Sequence, residues 1–259
     1  MKTLVFGALE TRISITSLLI ASCLVFISIF FSYYQKLKLE KETIIGILRA
    51  IIQLILVGYV LNFIFGLKNP LFTTFLVFFM LFNAAFNAAK RGKGIRHGFS
   101  ISFIAITTGT TITLSILVMA GAIKYEPYQI IPISGMIISN AMVAIGLSYR
   151  QLITNFENRR EEIETKLALG ADITISSIDI VRDSIKTGMI PTIDSMKTLG
   201  IVALPGTMTG LILAGVSPME SIKYQILVTF MILSTTAIAT FIACYLGYKG
   251  FFNERKQLK

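Results

Sequence analysis

The side chains of this sequence best placed to do chemistry are polar groups set inside long apolar runs. Arg49 and Gln53 are four residues apart, as are Asn83 and Asn87, and Met136 and Asn140. That spacing puts each pair on one face of a helix. Polar groups in a membrane span are costly unless they face the bundle interior or water. These carboxamides, the thioether and the guanidinium could therefore meet a translocated species. The competing account is that Asn and Gln hydrogen-bond across packed helices and hold them together. Arg49 is close enough to one end of its run to snorkel to the interface.

A second candidate is the apolar stretch Leu199–Val216, which Pro205-Gly206 interrupts in its middle, with Met208 and Gly210 just beyond. Proline frees a carbonyl and glycine lets the backbone kink. Broken helices near the bilayer midplane often form transport sites; close packing through Gly206-x-x-x-Gly210 is the alternative. Met189, Met196 and Met208 are nearby in sequence. Thioethers suit Cu(I) better than Fe(II) or Al(III), and methionine in apolar helices is mostly filler, so no metal site is assigned. The run Thr107, Thr108, Thr110, Thr111 and Thr113 reads as packing, because threonine can bond to its own helix backbone.

Other chemistries lack their parts. There is no G-x-x-x-x-G-K-[ST] loop and no dinucleotide glycine motif, so the chain is expected to bind no nucleotide cofactor and to be no enzyme by itself. The single histidine, His97, sits in a basic loop with nothing to make a hydrolase around it. Cys23 and Cys244 each lie in an apolar run and suggest neither a disulfide nor a metal cluster. No acidic residue falls within any apolar run considered as a span, which argues against a proton or sodium carrier and for an external source of energy.

The elements that would position these residues are membrane helices. Of 259 residues 54% are hydrophobic and only 15% charged, and the mean hydropathy is +0.74. The seven candidate spans are Ile13–Tyr34, Thr43–Leu67, Pro70–Ala89, Gly98–Ile123, Tyr128–Tyr149, Leu199–Val216 and Tyr224–Tyr248. Each is near the roughly 20 residues that cross about 30 Å of hydrocarbon, and helix is the default because a lone strand leaves its backbone unpaired in lipid. The first run is longer than a signal-peptide core and lacks a cleavage site, so it reads as a retained helix. An all-α polytopic membrane protein with about seven spans follows, as a single permease domain over 1–259.

The net charge of +10 is carried by loops between the runs. Lys36, Lys38 and Lys41, then Lys90, Arg91, Lys93 and Arg96, then seven residues of 150–198, then Lys249, Arg255, Lys256 and Lys259 alternate with sparse segments holding Lys2, Arg12, Lys68, Lys124 and Lys223. The split, 18 of 24 on one side, predicts an N-terminus outside and a C-terminus in the cytoplasm of a cell (inner or plasma) membrane. Anionic lipid and topology account for the basic excess, and no nucleic-acid partner is expected.

One long connection remains, Arg150–Thr198, expected to be cytoplasmic and to form two amphipathic helices meeting at Gly170-Ala171-Asp172 with Gly170 as the stop. Its stretch Glu164-Thr165-Lys166-Leu167-Ala168-Leu169-Gly170 resembles the coupling motif of ABC-transporter permeases, in which Glu-Ala-Ala is followed by three residues, Gly, nine residues and Ile-x-Leu-Pro. Glu164, Gly170 and Ile180 match; Thr165 and Lys166 replace the alanines, and Arg182-Asp183 replaces Leu-Pro. Arg49-Ala50-Ile51-Ile52-Gln53-Leu54, Phe82-Asn83-Ala84-Ala85, Ile131-Pro132-Ile133-Ser134-Gly135-Met136-Ile137, Asn140-Ala141-Met142-Val143, Leu204-Pro205-Gly206 and Lys223-Tyr224-Gln225-Ile226 are, in order, similar to the FetB family, the membrane subunits of a bacterial iron-export ABC transporter with plant aluminium-tolerance relatives. The resemblance implies a permease exporting metal ions, iron as the first guess. It also implies that a separate cytoplasmic ATPase subunit uses the ATP, and that a second copy of the chain and membrane lipid are the other partners. Glu164, Leu167, Ala168, Gly170 and Ala171 would be the ATPase-coupling residues. A secondary transporter or channel not coupled to ATP is the rival reading.

Overall fold

The computed structural model describes residues 14–67 and 69–259. Lys2, Arg12, Ile13 and Lys68, which enter the topology expected from the sequence, lie outside the described residues. By chain contact the protein divides into two compact units. One holds α1 (Ile15–Tyr34) and α2 (Glu40–Leu67), with Leu213–Gly215; the other holds Asn69–Ile212 and Val216–Lys259.

In the first unit the link between the helices is tied to both. Ser32 on α1 donates to Glu40 Oε1 (2.8 Å) and accepts from the Leu39 backbone N–H (3.2 Å). Glu40 and Glu42 in the first turn of α2 also face the positive end of its dipole. Arg49 and Gln53 are exposed on α2. Almost every apolar side chain of both helices is exposed too, Leu18, Phe30, Leu54 and Tyr59 among them. That is a surface made for lipid or for protein, not for water.

The second unit is built on α5 (Pro127–Asn158) and α9 (Pro218–Gly247), which pack on each other. Proline at the first helical turn opens both, and the Ser217 hydroxyl caps α9 by accepting from the Glu220 N–H. Around them stand α3 (Pro70–Arg91) against α5, α4 (Gly98–Met119) against α9, and α7 (Ile173–Thr198) against both α5 and α9. Small residues let the backbones approach. At Gly109 an added Cβ would come within 3.0 Å of the Thr235 carbonyl oxygen, and beside it Thr235 donates to Thr113 (2.9 Å). Gly92 abuts the buried Tyr149 ring, and Tyr149 accepts a hydrogen bond from Ser102 (3.1 Å).

These contacts define two ends. Thr74 meets Tyr125 by a 2.6 Å hydrogen bond at one of them. Gly92 and Tyr149, Gly250 and Arg96, and Thr174 and Tyr248 meet at the other. The second end carries the loops rich in Lys and Arg and is called the basic end below.

Among the described residues six helices, α1 to α5 and α9, are long and apolar enough to cross a membrane. The stretch Leu199–Val216, expected to be a span of its own, is not one continuous helix. Its first part is a turn in which Gly200 has φ +79 and the Val202 and Ala203 N–H groups both bond to the Thr198 carbonyl. Only the eight residues of α8 (Gly206–Leu213), about 12 Å, are helical before Gly215 turns the chain at φ +90. An apolar composition suited both outcomes; the paired glycines and Pro205 decided between them.

The 150–198 segment also differs from the expectation. Its first part belongs to α5, which continues to Asn158, and α6 (Arg160–Ala168) follows at the basic end. Gly170, at φ +88, stops α6 as expected, and α7 begins at Ile173. But α7 is 26 residues long and lies back along α5, so its last third is not peripheral. Gly188 packs where Ala144 and Ser148 stand, and Ser195 and Met196 reach the level of Asn140 and Met136. The chain crosses from the basic end to Ser217 by the second half of α7, the turn and α8 together.

Candidate functional site

At that broken crossing α5, α7 and α9 enclose a cavity of about 440 Å³ in the second unit. From α5 come Met136, Asn140, Val143, Ala144 and Leu147; from α7 Gly188, Pro191, Thr192, Ser195 and Met196; from α9 Gln225, Val228, Thr229 and Ile232. Leu199, Pro205, Gly206 and Thr207 close one side.

The local causes are readable. Pro191 within α7 has no N–H to give the carbonyl four residues back, which leaves that oxygen without its helical partner where the helix lines the cavity. Gly188, one turn earlier, brings α7 against α5 so tightly that an added Cβ would overlap the Ser148 hydroxyl and stand 2.7 Å from the Ala144 carbonyl oxygen. The start of α8 is fastened to α9 because Thr207 donates to Gln225 Oε1 (2.5 Å). Asn140 Nδ2 donates to the Met136 carbonyl at 2.8 Å. The cavity wall therefore offers carboxamide and hydroxyl oxygens, two thioethers and no formal charge. It suits a small polar or partly hydrated species better than a bare multivalent cation, which needs carboxylates or many oxygens.

The pathway candidates separate on this geometry. Met136, Asn140, Pro205 and Gly206 line the cavity. Met208 lines a neighbouring, more apolar pocket with Leu204, Ile222 and Phe230. Gly210 lines neither, and among the described residues a Cβ at Gly206 or Gly210 would meet nothing within 4 Å. Asn83 and Asn87 share a face of α3 as expected, yet each amide bonds back to its own helix, to Phe79 and Asn83 carbonyls at 3.1 and 2.8 Å. Among the described residues neither amide bonds to another helix, and neither residue lines the cavity. Arg49 and Gln53 are on α2, in the other unit, and are not among the lining residues.

Gln225 was missed although the criterion that selected Gln53, a carboxamide in an apolar run, applies to it equally. Thr192 and Ser195 were missed because the charges around them made the end of α7 read as a polar loop, whereas Met196 was weighed as a soft ligand and set aside as filler.

The coupling candidates gather at the basic end. Glu164, Leu167, Gly170 and Ala171 line an open groove of about 700 Å³ whose far side is Arg255–Leu258; Ala168 is exposed beside it. The chain's last residues fold back to make that side: Lys256 pairs with Asp172 (2.8 Å) and Arg160 donates to the Lys259 carbonyl (3.0 Å). Phe251 stacks on Phe156 at 4.2 Å beneath. Glu164 is held by Arg160 at 2.9 Å, and Leu169 projects into solvent at the tip of the elbow.

Lys256 donates a hydrogen bond to Asp172 and holds its carboxyl below the usual range, while the Lys256 ammonium is raised in turn. The first contribution is present above the ordinary Asp pKa and fades as pH falls through the lowered value. The second is present below the ordinary Lys pKa and fades as pH rises through the raised one. The clasp thus holds across the neutral range. At the start of α6, hydrogen bonds from Arg159, which precedes the helix, and then from Lys166 bring Glu162 down to about 2. Solvent screens these exposed pairs, so each adds little to stability.

The fold and these two sites can be set beside known proteins. The model of the Uncharacterised protein family (UPF0014) matches residues 15–252. The chain is 51% identical over 242 residues to the Probable iron export permease protein FetB of Escherichia coli (strain K12), covering 93% of each. It is 35% identical to the UPF0014 membrane protein STAR2 of Oryza sativa subsp. japonica, over 92% of this chain and 84% of that one. It is 34% identical to Protein ALUMINUM SENSITIVE 3 of Arabidopsis thaliana, over 92% and 88%. No solved structure matches the chain.

Proposed function

This chain belongs to the UPF0014 family of membrane proteins, and from that premise we propose that it is the membrane-spanning permease subunit of an ABC transporter, exporting metal ions with iron foremost, and driven by a separate ATPase. The observation that carries the reading is the cavity at the broken α7–α8 crossing, in a chain half identical to a protein named as an iron export permease. A second copy of the chain completes the pathway. The elbow at Gly170 receives the push of the ATPase, and the exposed Leu169 beside it supplies an apolar contact.

In this reading the basic end faces the cytoplasm. A cysteine at Lys223 is expected to react with an impermeant thiol reagent added to intact cells, and one at Lys93 only after permeabilisation. The reverse pattern would invert the molecule.

The reading is tested by reconstitution. The purified chain alone is expected to hydrolyse no ATP, having no phosphate-binding loop. Together with an ATPase that co-purifies with it, it should move Fe(II) across vesicles only when ATP is supplied. Pro205→Ala and Gly206→Leu should reduce that flux several-fold while leaving membrane insertion unchanged, because the turn at 199–206 shapes one wall of the cavity.

One observation favours a second reading. No acidic residue was expected at membrane depth, yet α7 carries Asp194 to the level of the α5 span. A gradient-driven carrier uses such a group. Flux that follows an imposed ion gradient without ATP would establish that reading instead.

A further inference from the structure

Asp194 and Lys197 form an ion pair at 2.8 Å on α7, with side chains 57% and 68% exposed. The face of α7 that packs is the other one, through Gly188, Thr192, Ser195 and Met196.

Their depth follows from the helices beside them. Gly188 is level with Ala144 and Ser148 of α5. Asp194 lies six residues further along α7, about 9 Å, and Lys197 about 13 Å. The antiparallel α5 is there at Asn140 and Met136, in agreement with the cavity lining. Asn140 is ten residues, about 15 Å, from Arg150, and fourteen residues, about 21 Å, from Glu126 at the other border of the uncharged run, and Met136 is fourteen and ten. The pair therefore stands near the middle of the hydrocarbon. A lysine stem does not reach an interface from there, and an aspartate has no stem to extend.

Among the described residues of the second unit these are the only charges at that depth. Exposed charges do not remain in lipid; they face water or other protein. We infer that this face of α7 lines the water-filled part of the translocation pathway, and that the Asp194 carboxylate binds cations in transit there. The neutral cavity directly behind it supplies oxygens and thioethers but no charge, and Asp194 adjoins its Ser195. Lys197 holds the carboxylate when no cation is present. An arriving cation displaces the ammonium, and the returning ammonium helps release it, so binding is weak enough for passage. The inference rests on the transport reading above but not on how transport is powered.

The test uses the full chain in its membrane, with Cys23→Ser and Cys244→Ala as background. Asp194→Cys is expected to react with the cationic reagent MTS-ethyltrimethylammonium at least ten-fold faster than Ile104→Cys, whose side chain is exposed on the apolar surface of α4. Asp194→Asn should lower Fe(II) flux at least ten-fold at unchanged expression, and Asp194→Glu should restore most of it. An Asp194→Cys side chain that stays unreactive overturns the aqueous placement. A reactive cysteine combined with undiminished flux in Asp194→Asn overturns the cation role. If the unaltered chain carries neither Fe(II) nor Al(III), the transport reading fails, and the cysteine rates still decide whether this face meets water.

Discussion

Gly188→Val is expected to abolish transport and to lower the thermal stability of the solubilised chain more than any exposed substitution. The seam between α5 and α7 closes over Gly188, where even a methyl group would overlap the Ser148 hydroxyl and stand 2.7 Å from the Ala144 carbonyl oxygen. The hydroxyl can rotate away. The carbonyl is fixed by the helix, so α7 must move outward to accommodate a side chain. Inserting atoms into a packed core costs about 1–3 kcal/mol, and a backbone obstacle puts a branched side chain at the upper end or above. The movement also opens the cavity, because Thr192, Ser195 and Met196 continue the same face of α7. Gly188→Ala should show a smaller loss, partly recovered by Ser148→Gly, which removes one of the two obstacles. The measurements are melting of the detergent-solubilised protein and Fe(II) flux in vesicles. A Gly188→Val chain that melts and transports like the original would mean the two helices do not approach as closely as the fold requires.

Gly170→Arg is expected to release the ATPase and stop ATP-driven flux while the membrane subunit still folds. The backbone there has φ +88, which costs an ordinary residue about 1–2 kcal/mol, and among the described residues nothing lies within 4 Å of the added Cβ. The damage is thus local: the elbow re-aims, and the new side chain projects from the corner where α6 hands over to α7. Gly170→Val should act the same way, with the φ strain dominant. Glu164→Ala should only weaken the complex, since its carboxylate is exposed and already paired with Arg160. Co-purification with the ATPase and substrate-stimulated hydrolysis read both effects. A Gly170→Arg chain that binds and transports normally would remove this elbow from coupling and leave the gradient-driven reading ahead.

What the sequence determined by itself was the membrane character, most of the helices and the elbow. Uncharged runs long enough to cross the bilayer can satisfy their backbone in lipid only as helices, so α2, α3 and α4 appear within a few residues of where the runs place them, and α5 and α9 contain nearly all of theirs while running six to nine residues beyond one end. Gly170 ended α6 because a positive φ there suits glycine, a local property that needs no tertiary partner. Tertiary structure decided everything that depended on which way a polar group faces. Asn83 and Asn87 had the same spacing as Met136 and Asn140, but only α5 turned its pair toward a cavity, because α7 packs on α5 and not on α3. The apolar stretch at 199–216 became a turn and a short helix. Average hydropathy records composition, whereas Gly200, Pro205 and Gly215 act through backbone angles and a missing N–H. The end of α7 was the opposite case: Asp194 and Lys197 gave it the composition of a polar loop, and packing through Gly188 nevertheless carried it to the level of Asn140 and Met136 in the apolar run of α5. Burial of charge is judged by what surrounds it, and a sequence does not say which helices will stand beside α7.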